Sequence, residues 1–165
     1  MSSSPLTEAW LRGVAANPAA PSDVLLRLLA PEGRAAWPVL CGERALPSDV
    51  VEAVLKHPER AVRRAFARNR YADPGQRGRL VDDADSLVRA ALAAGRRPHL
   101  GWTEVLPDAV LEALLTARDD EGGQVLTAAE IRQELEFSRQ IPQSIPPGEM
   151  VHHPNPELRA QATGL

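Results

Sequence analysis

Cysteine, lysine and aromatic residues are scarce in this chain of 165 residues. Cys41 is the only cysteine, so the chain forms no internal disulfide and no cysteine-based zinc or iron–sulfur site. Lys56 is the only lysine, and arginine supplies the other basic charges, a bias typical of GC-rich bacterial coding. Aromatic residues make up 4% of the chain, so alanine and leucine must provide most of the core.

Long apolar runs and catalytic motifs are also missing. No stretch approaches the roughly 18 consecutive apolar residues of a membrane-spanning helix. Residues 1–7 do not resemble a secretory signal, so we expect a cytoplasmic protein with no membrane partner. The adjacent His152 and His153 would point apart, which argues against a metal pair. With no phosphate loop and no nucleophile elbow, we expect no cofactor, no metal and no enzymatic activity.

The sequence does contain a repeat of 26 residues. Residues 21–24, Pro-Ser-Asp-Val, recur as residues 47–50. The same offset aligns three apolar pairs, at residues 28–29, 54–55 and 80–81. Three successive units therefore align without gaps over residues 17–94, with apolar character kept at fixed positions. Such a pattern indicates a repeated core.

Each unit is predicted to contain two short helices. In the second unit, Pro47 suits the first turn of one helix, and His57-Pro58 ends it. A second helix follows over residues 59–68, with Val62, Ala65 and Phe66 facing inward. Neither helix is long enough to be stable alone, so we predict an all-α fold in which the units stack.

The segment 17–28, in which Asn-Pro and a second proline precede a leucine-rich helix, resembles the leucine-rich-repeat-variant consensus. Residues 61–65, 87–91 and 158–160 resemble the other half of that repeat, which HEAT-like repeats share. The resemblance implies a right-handed α-solenoid of short helix pairs. Some family members bind an iron–sulfur centre through a cysteine cluster, and this chain lacks those cysteines.

We predict a single helical-repeat domain over residues 1–165, with regular repeats at 14–95, an irregular insertion at 96–149 and a partial repeat at 150–165. The insertion contains an acidic loop formed by Asp119, Asp120 and Glu121. The partial repeat has no obvious polar cap, so we expect it to continue an array or to meet another surface, including that of a second copy.

Charge divides the chain into two halves. Residues 59–97 contain ten arginines and five acids, whereas residues 101–140 contain three arginines and nine acids. The basic half offers a candidate binding ridge, formed by Arg64, Arg68, Arg70, Arg77, Arg96 and Arg97. The alternative interpretation is a solvated arginine-rich face without a ligand.

One repeat position is shared by Trp37, Arg63 and Arg89. In HEAT-like families this position, which Arg159 also matches, often forms an Asp–Arg ladder between units, so the resemblance implies a structural role for all three arginines. Trp37 is a candidate exposed aromatic anchor, with half-buried packing as the alternative. Cys41 shares a position with Ala67 and Ala93, so we expect a buried thiol.

Three functions are compatible with these features. We favour a non-enzymatic scaffold that binds a protein through the acidic loop or the arginine-rich face. The alternative is a nucleic-acid binder like the HEAT-like alkylation-repair glycosylases, although the net charge of −3 and the scarcity of aromatic residues oppose it. The third is an accessory domain of a larger enzyme or assembly.

Overall fold

The computed structural model describes residues 4–95, 105–116 and 128–137, and all regular structure within these ranges is helical. The α-helices are α1 (Pro5–Ala16), α2 (Ser22–Leu28), α3 (Trp37–Gly42), α4 (Ser48–Leu55), α5 (Arg60–Ala67), α6 (Pro74–Gly78), α7 (Ser86–Ala94), α8 (Asp108–Thr116) and α9 (Ala128–Phe137). Two 3-10 segments, Pro31–Ala36 and Arg79–Asp82, precede α3 and follow α6. The all-α prediction is confirmed for the described part of the chain.

Proline and aspartate residues mark helix starts. Pro47 lies just before α4, and its carbonyl accepts a hydrogen bond from the Val51 N–H at 3.0 Å. Asp85 caps α7, because its carboxylate accepts from the Leu87 N–H at 2.9 Å. The predicted break at His57-Pro58 is confirmed, since α4 ends before it and α5 begins after it.

The 26-residue offset reappears as a pattern of burial. One position is buried in every described unit, at Ala15, Cys41, Ala67 and Ala93. Three further positions are buried in each of the three units: Leu28, Val54 and Leu80; Ala36, Val62 and Val88; Leu40, Phe66 and Leu92. The core is thus one set of contacts made repeatedly, as the apolar pattern predicts.

The helices pack in an order that follows the repeat. Helix α1 packs on α3, α3 on α5, α5 on α7 and α7 on α9. In the other row, α2 packs on α4. The second helix of each unit therefore lies between its counterparts in the neighbouring units, and burial of its apolar face requires both neighbours.

Helices α8 and α9 form a fourth pair within the segment 96–149, which the sequence suggests is irregular. The two helices pack together, and α9 also packs on α7. Ile131 and Leu135 of α9 are buried and have the same spacing of four residues as Val88 and Leu92 of α7. The described part of this segment thus continues the pairing with a longer connection. The partial repeat at 150–165 lies outside the described residues.

Candidate interaction surfaces

The arginine at the ladder position of α5 joins two neighbouring units. Arg63 on α5 pairs with Asp83, with Nε donating to Oδ2 at 2.7 Å and Nη2 to Oδ1 at 3.3 Å, and both side chains are largely buried. Arg63 Nη1 also donates to the His57 carbonyl at 2.6 Å. Arg89 makes the equivalent bond to the Asp83 carbonyl. The expected pairing with an aspartate of the next unit is confirmed for Arg63, whereas the bond of Arg89 lies within its own unit and Arg159 lies outside the described residues.

Exposed ion pairs also join neighbouring units, and two of them are related by the 26-residue offset. Three pairs connect neighbouring units: Arg34 with Glu59 at 3.4 Å, Arg60 with Asp85 at 3.3 Å, and Arg79 with Glu52. The hydrogen bond from Arg79 holds the pKa of the Glu52 carboxyl below its usual value. Exposed pairs of this kind add little stability, but they neutralise part of the basic half of the chain.

Trp37 is not an exposed anchor, and that prediction is wrong. Its side chain is 3% exposed, and its indole N–H donates to the Leu28 carbonyl at 2.9 Å. The ring meets the His57 imidazole edge-on, with ring centroids 5.3 Å apart. Trp37 and His57 precede Arg63 and Asp83 by 26 residues each, so both pairs form the same contact between units. The shared position faces the next unit instead of solvent.

Arg77 lies in the core, so its assignment to an exposed ridge is also wrong. Its side chain is 1% exposed. Arg77 follows Leu25 and Val51 at the 26-residue offset, and both of those residues are buried. The chain therefore places an arginine where its earlier units have an aliphatic residue. The repeat offset carried this signal, because it assigns Arg77 to an inward position.

The exposed residues of the predicted ridge that the structure describes lie close together in the sequence, just after α5. Arg68 and Arg70 are exposed just after α5, and Arg64 on α5 is partly buried. Arg96 and Arg97 lie outside the described residues, as do the acidic-loop residues Asp119, Asp120 and Glu121. The exposed basic surface that the structure describes is therefore the end of α5 and the turn that follows.

Asn69 organises this turn, and no function was predicted for it. Its side chain is fully buried, and Nδ2 donates to the carbonyls of Cys41 and Arg44 at 2.8 Å each. Its Oδ1 accepts from the Tyr71 N–H at 2.8 Å. The amide thus uses both donors and its acceptor to fasten the turn after α5 to the end of α3. An asparagine at the boundary between units was the only signal in the sequence.

Arg44 has the corresponding role in the preceding unit. Its Nη1 donates to the carbonyls of Ala15 and Asn17 at 2.9 and 2.8 Å, which fastens the turn after α3 to the end of α1. Arg70 lies 26 residues after Arg44, but at its junction Asn69 already bonds to the carbonyl of Cys41, the counterpart of Ala15. The Arg70 side chain is therefore not needed to bond to carbonyls of the preceding unit.

The Arg70 side chain instead stacks on the ring of Tyr71. The central carbon of its guanidinium lies 4.6 Å from the centre of the tyrosine ring, and Nη2 donates to the phenol oxygen. Tyr71 is 47% exposed. Within the described residues, no carboxylate forms an ion pair with Arg70. The result is a stacked arginine–tyrosine pair presented to solvent.

Helix α1 exposes large apolar side chains at the first end of the stack. Leu6 and Trp10 are 81% and 65% exposed. Trp10 precedes Ala36 by 26 residues and therefore occupies a position that is buried in the three later units. Gly13 lies one turn further along α1, and a Cβ built there would meet no heavy atom within 4 Å. This outer face of α1 is open and uncharged.

The buried Cys41 thiol is expected to be chemically inert in the folded protein. Burial raises its pKa to about 12, so almost no reactive thiolate forms at pH 8. Iodoacetamide should modify Cys41 at least about a hundredfold more slowly in the folded protein than in urea, measured by mass spectrometry. A Cys41→Ala variant controls for modification elsewhere, and equal rates in the two conditions would contradict the burial of the thiol.

Clusters of metal-ligating side chains and membrane-spanning helices are both absent from the described ranges. No three His, Cys, Asp or Glu side chains there are grouped as metal ligands would be. No helix of these ranges combines the length and the apolar character of a membrane span. Comparisons of the chain with protein-family models, with curated proteins and with solved structures found no match.

Proposed function

We propose that this chain is a non-enzymatic scaffold that binds a partner protein in the cytoplasm. In this proposal the helix pairs form a right-handed α-solenoid of the leucine-rich-repeat-variant or HEAT-like kind. Stacked short helices suit such a role, because they present a long, rigid surface built from equivalent positions. The recurrence of buried positions at the 26-residue offset and the packing of alternate helices support this architecture.

The exposure of Trp10 is the observation that carries the functional proposal. A position that is buried at Ala36, Val62 and Val88 holds a tryptophan that faces solvent on α1. Tryptophan is among the residues most enriched where protein partners bind tightly, because a partner can bury its large apolar surface. Leu6 extends the same exposed face by one helical turn.

Nucleic-acid binding is the weaker alternative. A phosphate backbone is held by a row of cationic side chains that are free to contact it. Arg60, Arg63 and Arg79 instead pair with carboxylates of neighbouring units, and Arg77 is buried. Among the described residues these engagements leave a short basic surface, and the exposed apolar face of α1 suits a protein better than a nucleic acid.

Removing the apolar face of α1 tests this function. A Leu6→Ala/Trp10→Ala variant should bind its partner at least about tenfold more weakly, because the contact loses two large apolar groups. Cross-linked complexes recovered from cells of the source organism would be compared by quantitative mass spectrometry, with sedimentation over a range of concentrations to detect self-association. Leu87→Ala, which removes another exposed leucine, is the matched control.

The outcomes separate the two functions. Loss of a protein complex or of self-association in the α1 variant, but not in the control, supports the scaffold. Identical complexes for all three proteins would contradict it. In a parallel titration with a labelled DNA duplex, tight binding that falls steeply with salt would favour the nucleic-acid alternative.

A further inference from the structure

We propose that the corner formed by Arg68, Arg70 and Tyr71 binds an acidic segment of a partner protein, with the Arg70 guanidinium donating to a carboxylate. This corner, called here the 68–71 corner, lies in the turn after α5. The proposal rests on the scaffold function and adds to it the chemistry of the partner. It concerns a surface that is separate in sequence from the apolar face of α1.

The 68–71 corner is held in place before any partner arrives. Asn69, buried beneath it, fixes the Tyr71 backbone through the 2.8 Å bond to its N–H. The tyrosine ring in turn supports the Arg70 guanidinium. Arginine normally loses much side-chain freedom when it binds, and the stacking removes part of that cost in advance. An exposed cation that is already oriented is better suited to binding than one that moves freely.

Within the described residues, no acid forms an ion pair with Arg70, so no such pair neutralises its positive charge. Asp73 is the nearest acid in the sequence, and its carboxylate accepts from the Gln76 N–H at 3.1 Å, at the start of α6. Arg64 lies on α5, about one helical turn before its end, and its side chain is partly buried. Arg64 Nε is buried and has no hydrogen-bond partner among the described residues.

An acidic protein segment fits this corner better than a nucleic acid does. The guanidinium fork matches the two oxygens of a carboxylate, and arginine and tyrosine are both enriched at the centres of protein interfaces. A nucleic acid would need the positive surface to continue along the stack. The neighbouring Arg60 and Arg63 are already paired with acids, and Arg44 is fastened to backbone carbonyls.

A fluorescent decaglutamate peptide provides a direct probe. Binding would be measured by fluorescence anisotropy at low salt for the full chain, with the same peptide carrying glutamine at every position as the neutral comparison. We expect Arg70→Gln to raise the Kd for decaglutamate about tenfold, as for a central interface residue. Arg27→Gln removes the same charge from an exposed site on α2, and it should change the Kd less than about twofold.

Other results would overturn the proposal. One is that decaglutamate does not bind to the wild type, and another is that Arg27→Gln and Arg70→Gln weaken binding equally. A third is that a single-stranded oligonucleotide displaces the labelled peptide at a concentration tenfold lower than unlabelled decaglutamate does. Arg70→Lys keeps the charge but loses the fork, so it should fall between wild type and Arg70→Gln. If the α1 variant loses its partner while decaglutamate fails to bind, the corner is overturned and the scaffold function stands.

Discussion

Replacing Asn69 with leucine is expected to lower the free energy of unfolding by about 3 kcal/mol, because three backbone groups, one buried and two partly buried, lose their hydrogen bonds. The carbonyls of Cys41 and Arg44 and the N–H of Tyr71 all bond to the Asn69 amide. Leucine has the same branched shape as asparagine and is not smaller, so the substitution leaves no cavity. Urea unfolding followed by far-UV circular dichroism provides the measurement.

Asn17 supplies a matched control for Asn69. It lies two units earlier at the same repeat position, and its Oδ1 accepts from the Ala19 N–H at 2.9 Å just as Asn69 Oδ1 accepts from Tyr71. Asn17 is exposed, so Asn17→Leu should cost less than about 1 kcal/mol. Similar losses for the two variants would show that the bonds from Asn69 to the preceding unit contribute little.

Gly33→Ala is expected to destabilise the fold by about 3 kcal/mol, because the added methyl group overpacks a site that has no room for it. A Cβ at Gly33 would lie 2.0 Å from the Leu28 carbonyl oxygen, which is backbone and cannot rotate away. The same oxygen accepts the hydrogen bond from the Trp37 indole. The substitution should therefore lower the unfolding midpoint in urea and also alter the fluorescence of Trp37.

Gly13→Ala is the control, because the same substitution at Gly13 should raise the stability of the fold instead of lowering it. Gly13 lies inside α1, and an added Cβ would meet nothing within 4 Å. Alanine should stabilise the helix there by about 0.5–1 kcal/mol, because glycine loses more backbone freedom on folding. A stable Gly33→Ala variant with unchanged tryptophan fluorescence would be incompatible with the close contact at Leu28.

Features that depend on spacing along the chain could be predicted from the sequence. The offset of 26 residues located the buried positions, including Cys41, because a residue facing the core in one unit does so in the next. Helix ends near Pro47 and Pro58 could be predicted because proline restricts its own backbone and that of the preceding residue. The pairing of Arg63 with an aspartate followed from the resemblance to HEAT-like repeats.

Features that depend on contacts between units could not be predicted in the same way. Trp37 shares its position with two arginines, so the sequence allows either an exposed or a half-buried ring, yet that position faces the neighbouring unit and the ring is buried. Asn17 and Asn69 are alike in sequence, but only Asn69 is buried against carbonyls of a preceding unit. Arg77 was assigned by charge, although its repeat position identified it as buried.

Equivalent positions at two successive interfaces between units hold an aromatic pair in one case and an ion pair in the other. This difference helps to fix the order in which the units pack. Repeated apolar cores are interchangeable, so a chain of this kind risks pairing a helix with the wrong neighbour. A slip by one unit would place the Trp37 indole against the Asp83 carboxylate and leave the buried guanidinium of Arg63 without its acid, which is costly. The two pairs, Trp37 with His57 and Arg63 with Asp83, are chemically different. Each interface between units therefore favours its correct neighbour over the others.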